Sequence, residues 1–251
     1  MGRPDGVLTS KADRMKRFVL LLVAAVAVTI FVGACQTQQV GEMQRESRSI
    51  QAENAQSFDA ELRMGAGELN VSGGADALME ANFSYNVAEW KPEVNYDVSG
   101  DTGELIVEQG SGEGIPAGGD ARNEWDVRFN DEVPTGLHVQ MGAGESDLDL
   151  DSLTLTGLEL EMGAGKTTVD LTGDYGQDLD ASIQGGVGEA TVLLPSELGV
   201  RVRAEGGLGK INAHGLQREG QAYVNDAYGD SDVNLEVDVQ GGVGQINLEV
   251  V

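Results

Sequence analysis

Cysteine, histidine, aromatic residues and positive charge are all scarce in this chain. Its 251 residues include one cysteine, two histidines and 5% aromatics, with 16 Lys plus Arg against 42 Asp plus Glu, a formal net charge of −26. The lone cysteine, Cys35, excludes an internal disulfide framework and a multi-cysteine metal site. His138 and His214 leave little for metal or acid–base chemistry. So acidic a surface repels phosphate, which excludes nucleic acid as a partner. Only 5 prolines accompany 36 glycines, and the glycines have no three-residue period, so the chain is not collagenous. A hydrophobic fraction of 40% is enough to build a core.

The one long uncharged run lies near the start. Met15-Lys16-Arg17 precedes FVLLLVAAVAVTIFVGA, Phe18 to Ala34, and the run closes on Val32-Gly33-Ala34-Cys35. A short basic region, an apolar stretch and small residues before a cysteine resemble a bacterial lipoprotein signal. The small residues let a peptidase close around the scissile bond, and the thiol takes the lipid. Residues 1–34 are therefore expected to be a signal region with Met15 as its true start. Cys35 is expected to be the acylated first residue of an extracytoplasmic, membrane-anchored lipoprotein. Only Lys91, Lys166 and Lys210 are lysines beyond it, so no polybasic stretch supplements the acyl chains. Residues 35–56 are polar, have no apolar stripe and read as a tether.

Glycine sets the register of the rest. Gly-x-Gly occurs at Gly65/Gly67, Gly142/Gly144, Gly163/Gly165, Gly186/Gly188, Gly207/Gly209 and Gly242/Gly244. The second glycines of the middle four are 21, 23 and 21 residues apart, and the last interval of 35 holds an insertion. A recurrence of this length is the signature of stacked repeats. Apolar residues alternate on both sides of each pair. Leu137, Val139 and Met141 precede Gly144 and Leu148 and Leu150 follow it; Leu158, Leu160, Met162, Val169 and Leu171 repeat the pattern. Period two on both arms predicts a strand on each side of a corner, one face in and one face out. The predicted fold is all-β: a stacked-repeat β-solenoid, or two packed sheets, with structural Gly-x-Gly corners and sequential repeats as neighbours. Glycine suits such a corner because the bend needs positive φ or has no room for a Cβ.

The repeat region spans 136–251. Ahead of it, 57–135 is less regular, with strands expected at FSYN, PEVNYDV, GELIVEQ and NEWDVRF and a loop at GSGEGIPAGGD. Trp90 and Trp125 read as sheet-packing aromatics. The insertion 215–233 presents Tyr223 and Tyr228 either on a projecting contact loop or in an end cap.

Several motif matches fail on inspection. Gly163-Ala-Gly165-Lys166-Thr167-Thr168 resembles the end of a P-loop, but Leu160 stands where the first glycine belongs, and an alternating β-branched segment follows where a helix is needed. The GGVGEATVL-type segments lack the aspartate of a calcium β-roll. Asp147, Asp149 and Asp151 alternate along one strand without the glycine and glutamate of a calcium loop. No Ser-His-Asp set is assignable. Neither cofactor, metal site nor catalytic residue is therefore expected, and the chain reads as a non-enzyme.

NEWDVRFNDEVPTGLHVQMGAGESDLDLDSLTLTGLELEMGAGKTTVDLTG, then GGVGEATVLLP, GVRV, YVNDAYG and a final GGVGQINLEV, resemble the toast-rack family of bacterial envelope domains. They are similar also to the C-terminal domain of membrane proteins that answer cell-wall-active antibiotics. The resemblance covers about 57–251. It implies an all-β stacked-sheet fold outside the cytoplasmic membrane and transfers no catalytic residues. The expected function is a lipid-anchored, non-catalytic envelope module, structural or interacting with an envelope protein or wall polymer. The alternatives are a ligand-sensing accessory of a cell-wall stress response and a glycan hydrolase, which needs two facing carboxylates with one pKa raised.

Overall fold

The computed structural model describes residues 40–111 and 120–251. The signal region, Cys35 and most of the Gly/Pro loop lie outside the described residues. Among those described, no helix is long and apolar enough to cross a membrane. The strands are β1 (Val40–Ile50), β2 (Ser57–Ser72), β3 (Met79–Val87), β4 (Pro92–Ser99), β5 (Thr102–Gln109), β6 (Asn123–Phe129) and β7 (Thr135–Asp149). They continue as β8 (Leu155–Asp170), β9 (Leu179–Leu194), β10 (Gly199–His214), β11 (Gln217–Glu219), β12 (Ala222–Val224) and β13 (Asn234–Val250). The four strands expected before residue 130 are β3 to β6. One sheet and one hydrophobic core run across position 135 without a break.

Each repeat is one long strand that bends at its glycines without losing its pairing. Leu137, Val139 and Met141 on the first arm of β7, Leu148 on its second arm and Leu150 just beyond it are all buried in the same core. Outward residues such as Glu159 and Glu161 are exposed. The neighbours β2, β7, β8, β9, β13 and β10 are parallel and in register. Gly67, Gly144, Gly165, Gly188, Gly244 and Gly209 thus form one column.

The column explains the glycines. Gly67, Gly144, Gly165, Gly188 and Gly244 have φ between 136° and 148°, a range L side chains avoid. At Gly165 a Cβ would also overlap the carbonyl of Gly144 in the next strand. The same overlap recurs along the stack, so no layer can change alone.

Sequential stacking is corrected by the order of the layers. The last strand, β13, lies between β9 and β10. Every Gly-x-Gly strand offers the same alternation and corner, so periodicity could not rank the neighbours. The segment expected to be a tether also differs: Val40–Ile50 is β1, antiparallel to β3 at the sheet edge. It lacks an apolar stripe because it is largely solvated on both faces.

Candidate functional site

The two ends of the corner stack are finished differently. At the first end, β5 pairs with the first arm of β2 and β6 with its second arm. Between them, Gln109 Oε1 accepts from the backbone N–H of Gly65 (2.9 Å) and Ala66 (3.3 Å) and from Asn123 Nδ2 (2.9 Å). Asn123 Nδ2 also donates to Ala66 O (3.1 Å), and Trp125 Nε1 donates to Asn123 Oδ1 (3.0 Å). Side-chain amides therefore satisfy corner groups that a neighbouring strand would otherwise pair. Phe58, Phe83, Trp125 and Phe129 fill the core there, with Phe83 and Trp125 edge-on at 5.3 Å.

At the other end, β12 pairs with β10 only from Arg201 to Arg203. Beyond Arg203, no described strand lies against the outer edge of β10. The inward residues Ala204, Ile211 and Ala213 are only partly buried. The residue between the corner glycines also changes character. Ala66, Ala143 and Ala164 occupy it in the early layers, and Val187, Val243 and Leu208 in the last three. These three are in register on adjacent strands and 56%, 48% and 75% exposed. They form an apolar ridge leading to the free edge. Beneath it, Gly185 and Ala190 are both small, leaving a cavity of about 40 Å³ lined also by Met162, Thr167, Ile183 and Ile246.

The insertion 215–233 covers part of this end. Tyr223 packs on the core and Tyr228 is half-buried, its hydroxyl 3.5 Å from Glu236. They do not project as a contact loop. Buried Asn225 fixes the segment: its Nδ2 donates to Pro195 O (3.2 Å) and Leu198 O (2.7 Å), and its Oδ1 accepts from Val200 N (2.9 Å).

The remaining candidates do not converge on chemistry. Lys166 is an exposed residue of β8, and Thr167 is buried against Ser146 (2.6 Å), so the P-loop-like segment is an uninterrupted strand. The outer face of the first arm forms a shallow trough of about 740 Å³. There His138 stands 3.7 Å from Glu61 and 3.9 Å from Glu159. Asp149 has its pKa raised by partial burial and by neighbouring Asp151 and Asp170. It sits on the outer face of the second arm and lines none of these depressions. Among the described residues no three acidic, histidine or cysteine side chains gather as a metal site.

Long parallel strands, each bent at a stacked glycine pair around one core, define a β-solenoid-like fold. The chain belongs to the toast-rack family: the model for the N-terminal domain of toast_rack (DUF2154) matches residues 39–193. Among solved structures, it is similar to a putative cell adhesion protein from Clostridium sporogenes. Identity is 37%, 84% of this chain and 100% of that chain are covered, and the TM-score is 0.82. A putative adhesin from Bacteroides fragilis aligns over 84% of this chain and 99% of that one, at 9% identity and a TM-score of 0.30. No curated protein matches.

Proposed function

We propose that the chain is a lipid-anchored, non-catalytic module of the cell envelope that works by binding another envelope protein. The observation that carries this reading is the ridge Val187–Val243–Leu208, three large apolar side chains held in solvent by a rigid scaffold. Contiguous exposed apolar surface on a soluble domain marks an interaction site. Family membership and the likeness to the Clostridium sporogenes protein support an envelope role, and the motif ending at Cys35 supports the anchor.

Two measurements test the two halves. Cys35→Ser should shift the protein out of the membrane fraction or leave an uncleaved precursor; unchanged processing and retention refute the anchor. For binding, native envelope is passed over the full chain and over Leu208→Asp. Partners retained by the first and lost by the second support the reading, and identical retention overturns it.

A further inference from the structure

We propose that the free edge of β10, from Ala204 to His214, receives an extended strand donated by a partner protein. That strand lies parallel and in register as one more corner layer, with glycine above Gly207 and Gly209 and a carboxylate above Lys210. The inference rests on the reading as a binding module and specifies the chemistry of the partner.

Three features of the stack define the incoming strand. The first is the unpaired backbone edge, held in place by continuous pairing with β13 on the other side. Such an edge is a template for strand addition. The second is the direction of the glycine overlaps. A Cβ on Gly142 would strike Gly65 O, on Gly163 Gly142 O, on Gly186 Gly163 O, on Gly242 Gly186 O and on Gly207 Gly242 O. Each layer's Cβ position points back toward β2. A layer added on β10 would therefore aim its own corner Cβ atoms at the carbonyls of Gly207 and Gly209, and only glycine fits.

The third is charge. The first outward position after the corner runs Glu68, Glu145, Lys166, Glu189, Gln245, Lys210 across adjacent strands, and its inner lysine lies between two glutamates. Lys210 ends this row, exposed, with no ion pair among the described residues. A carboxylate in the next layer would continue the row with the opposite sign.

A second copy of this chain does not meet these demands. Parallel stacking would require a free β2 edge, and β5 and β6 cover it. Antiparallel pairing that sets inward residues opposite inward residues, Ala204 against Ile211 or Ala213 of the other copy, never places glycine over both Gly207 and Gly209. The hairpin β11–β12 thus covers Arg201–Arg203 alone and leaves the edge open beyond them.

The probe is a labelled peptide with the sequence of residues 183–194, IQGGVGEATVLL. In register it places Gly186 and Gly188 above Gly207 and Gly209, and Glu189 above Lys210. Binding to the full chain is followed by anisotropy, and amide exchange is followed along β10. Saturable binding with slowed exchange between Ala204 and His214 is expected. Gly188→Val in the peptide, Leu208→Asp in the protein and Lys210→Glu in the protein should each weaken it at least tenfold. Pairing Lys210→Glu protein with Glu189→Lys peptide should restore it. Absence of peptide binding, or equal binding of the Gly188→Val peptide, overturns strand addition. If envelope partners are then still lost with Leu208→Asp, the binding module stands and its strand-addition mechanism falls. If Leu208→Asp changes neither assay, both fall. A sedimenting dimer abolished by Leu208→Asp assigns the edge to a second copy and overturns the proposal.

Discussion

At the β2 end of the stack, both arms of the outermost corner strand carry a further strand and the corner itself is closed by Gln109 and Asn123. At the β10 end, Arg201–Arg203 are covered, and no described strand lies against the remainder of the edge beside Leu208. Core composition follows the same gradient, from five buried aromatic rings, those of Phe58, Phe83, Tyr85, Trp125 and Phe129, at the first end to half-buried Ala204, Ile211 and Ala213 at the second. The same strand design therefore serves two purposes according to what lies against its last layer. A sealed edge contributes stability, whereas an open one remains available for pairing.

The comparison can be broken most severely from inside the column. Gly165→Val places a branched side chain on the Gly144 carbonyl at a φ of 139°, with layers on both sides preventing relaxation. A loss of about 3 kcal/mol or more is expected, lowering the melting temperature by roughly 6–12 °C in calorimetry. Next comes the seal. Gln109→Ala leaves the Gly65 and Ala66 N–H groups and the Asn123 amide short of an acceptor, at a cost of about 2 kcal/mol in denaturant unfolding. A change below about 0.5 kcal/mol would show that the seal adds nothing. The smallest effect belongs to the open end: Leu208→Asp should stay within about 0.5 kcal/mol of the parent, because the side chain is 75% exposed. A large loss there would make the ridge part of the core and remove the distinction between the ends.

The layer design was legible because it rests on local rules. Alternation identified Leu158, Leu160 and Met162 as inward, and the glycine register located each corner. The order of layers was not legible, since β9, β10 and β13 present interchangeable faces and corners. The polar sequence of β1 hid a strand because an edge solvated on both faces has no alternation to read. Gln109 and Asn123 lie 14 residues apart in segments with no motif, and only the fold brings them to Gly65. The ridge did leave a trace, in the change from Ala66, Ala143 and Ala164 to Val187, Leu208 and Val243 between paired glycines. That trace acquires meaning only when the three residues are seen on adjacent strands.

The place of β13 between β9 and β10 has a consequence for how the chain is made. During synthesis β10 leaves the ribosome well before β13, and at that moment its glycines and inward residues match the waiting edge of β9 almost as well as they will match β13. Early docking of β10 on β9 would close the slot that the last strand must enter. Long-range parallel pairing is intrinsically slow and exposes intermediates to such errors. A nascent chain stopped before Asn234 contains two edges that fit each other but are separated in the finished molecule. Completion of the sheet is thus tied to emergence of β13.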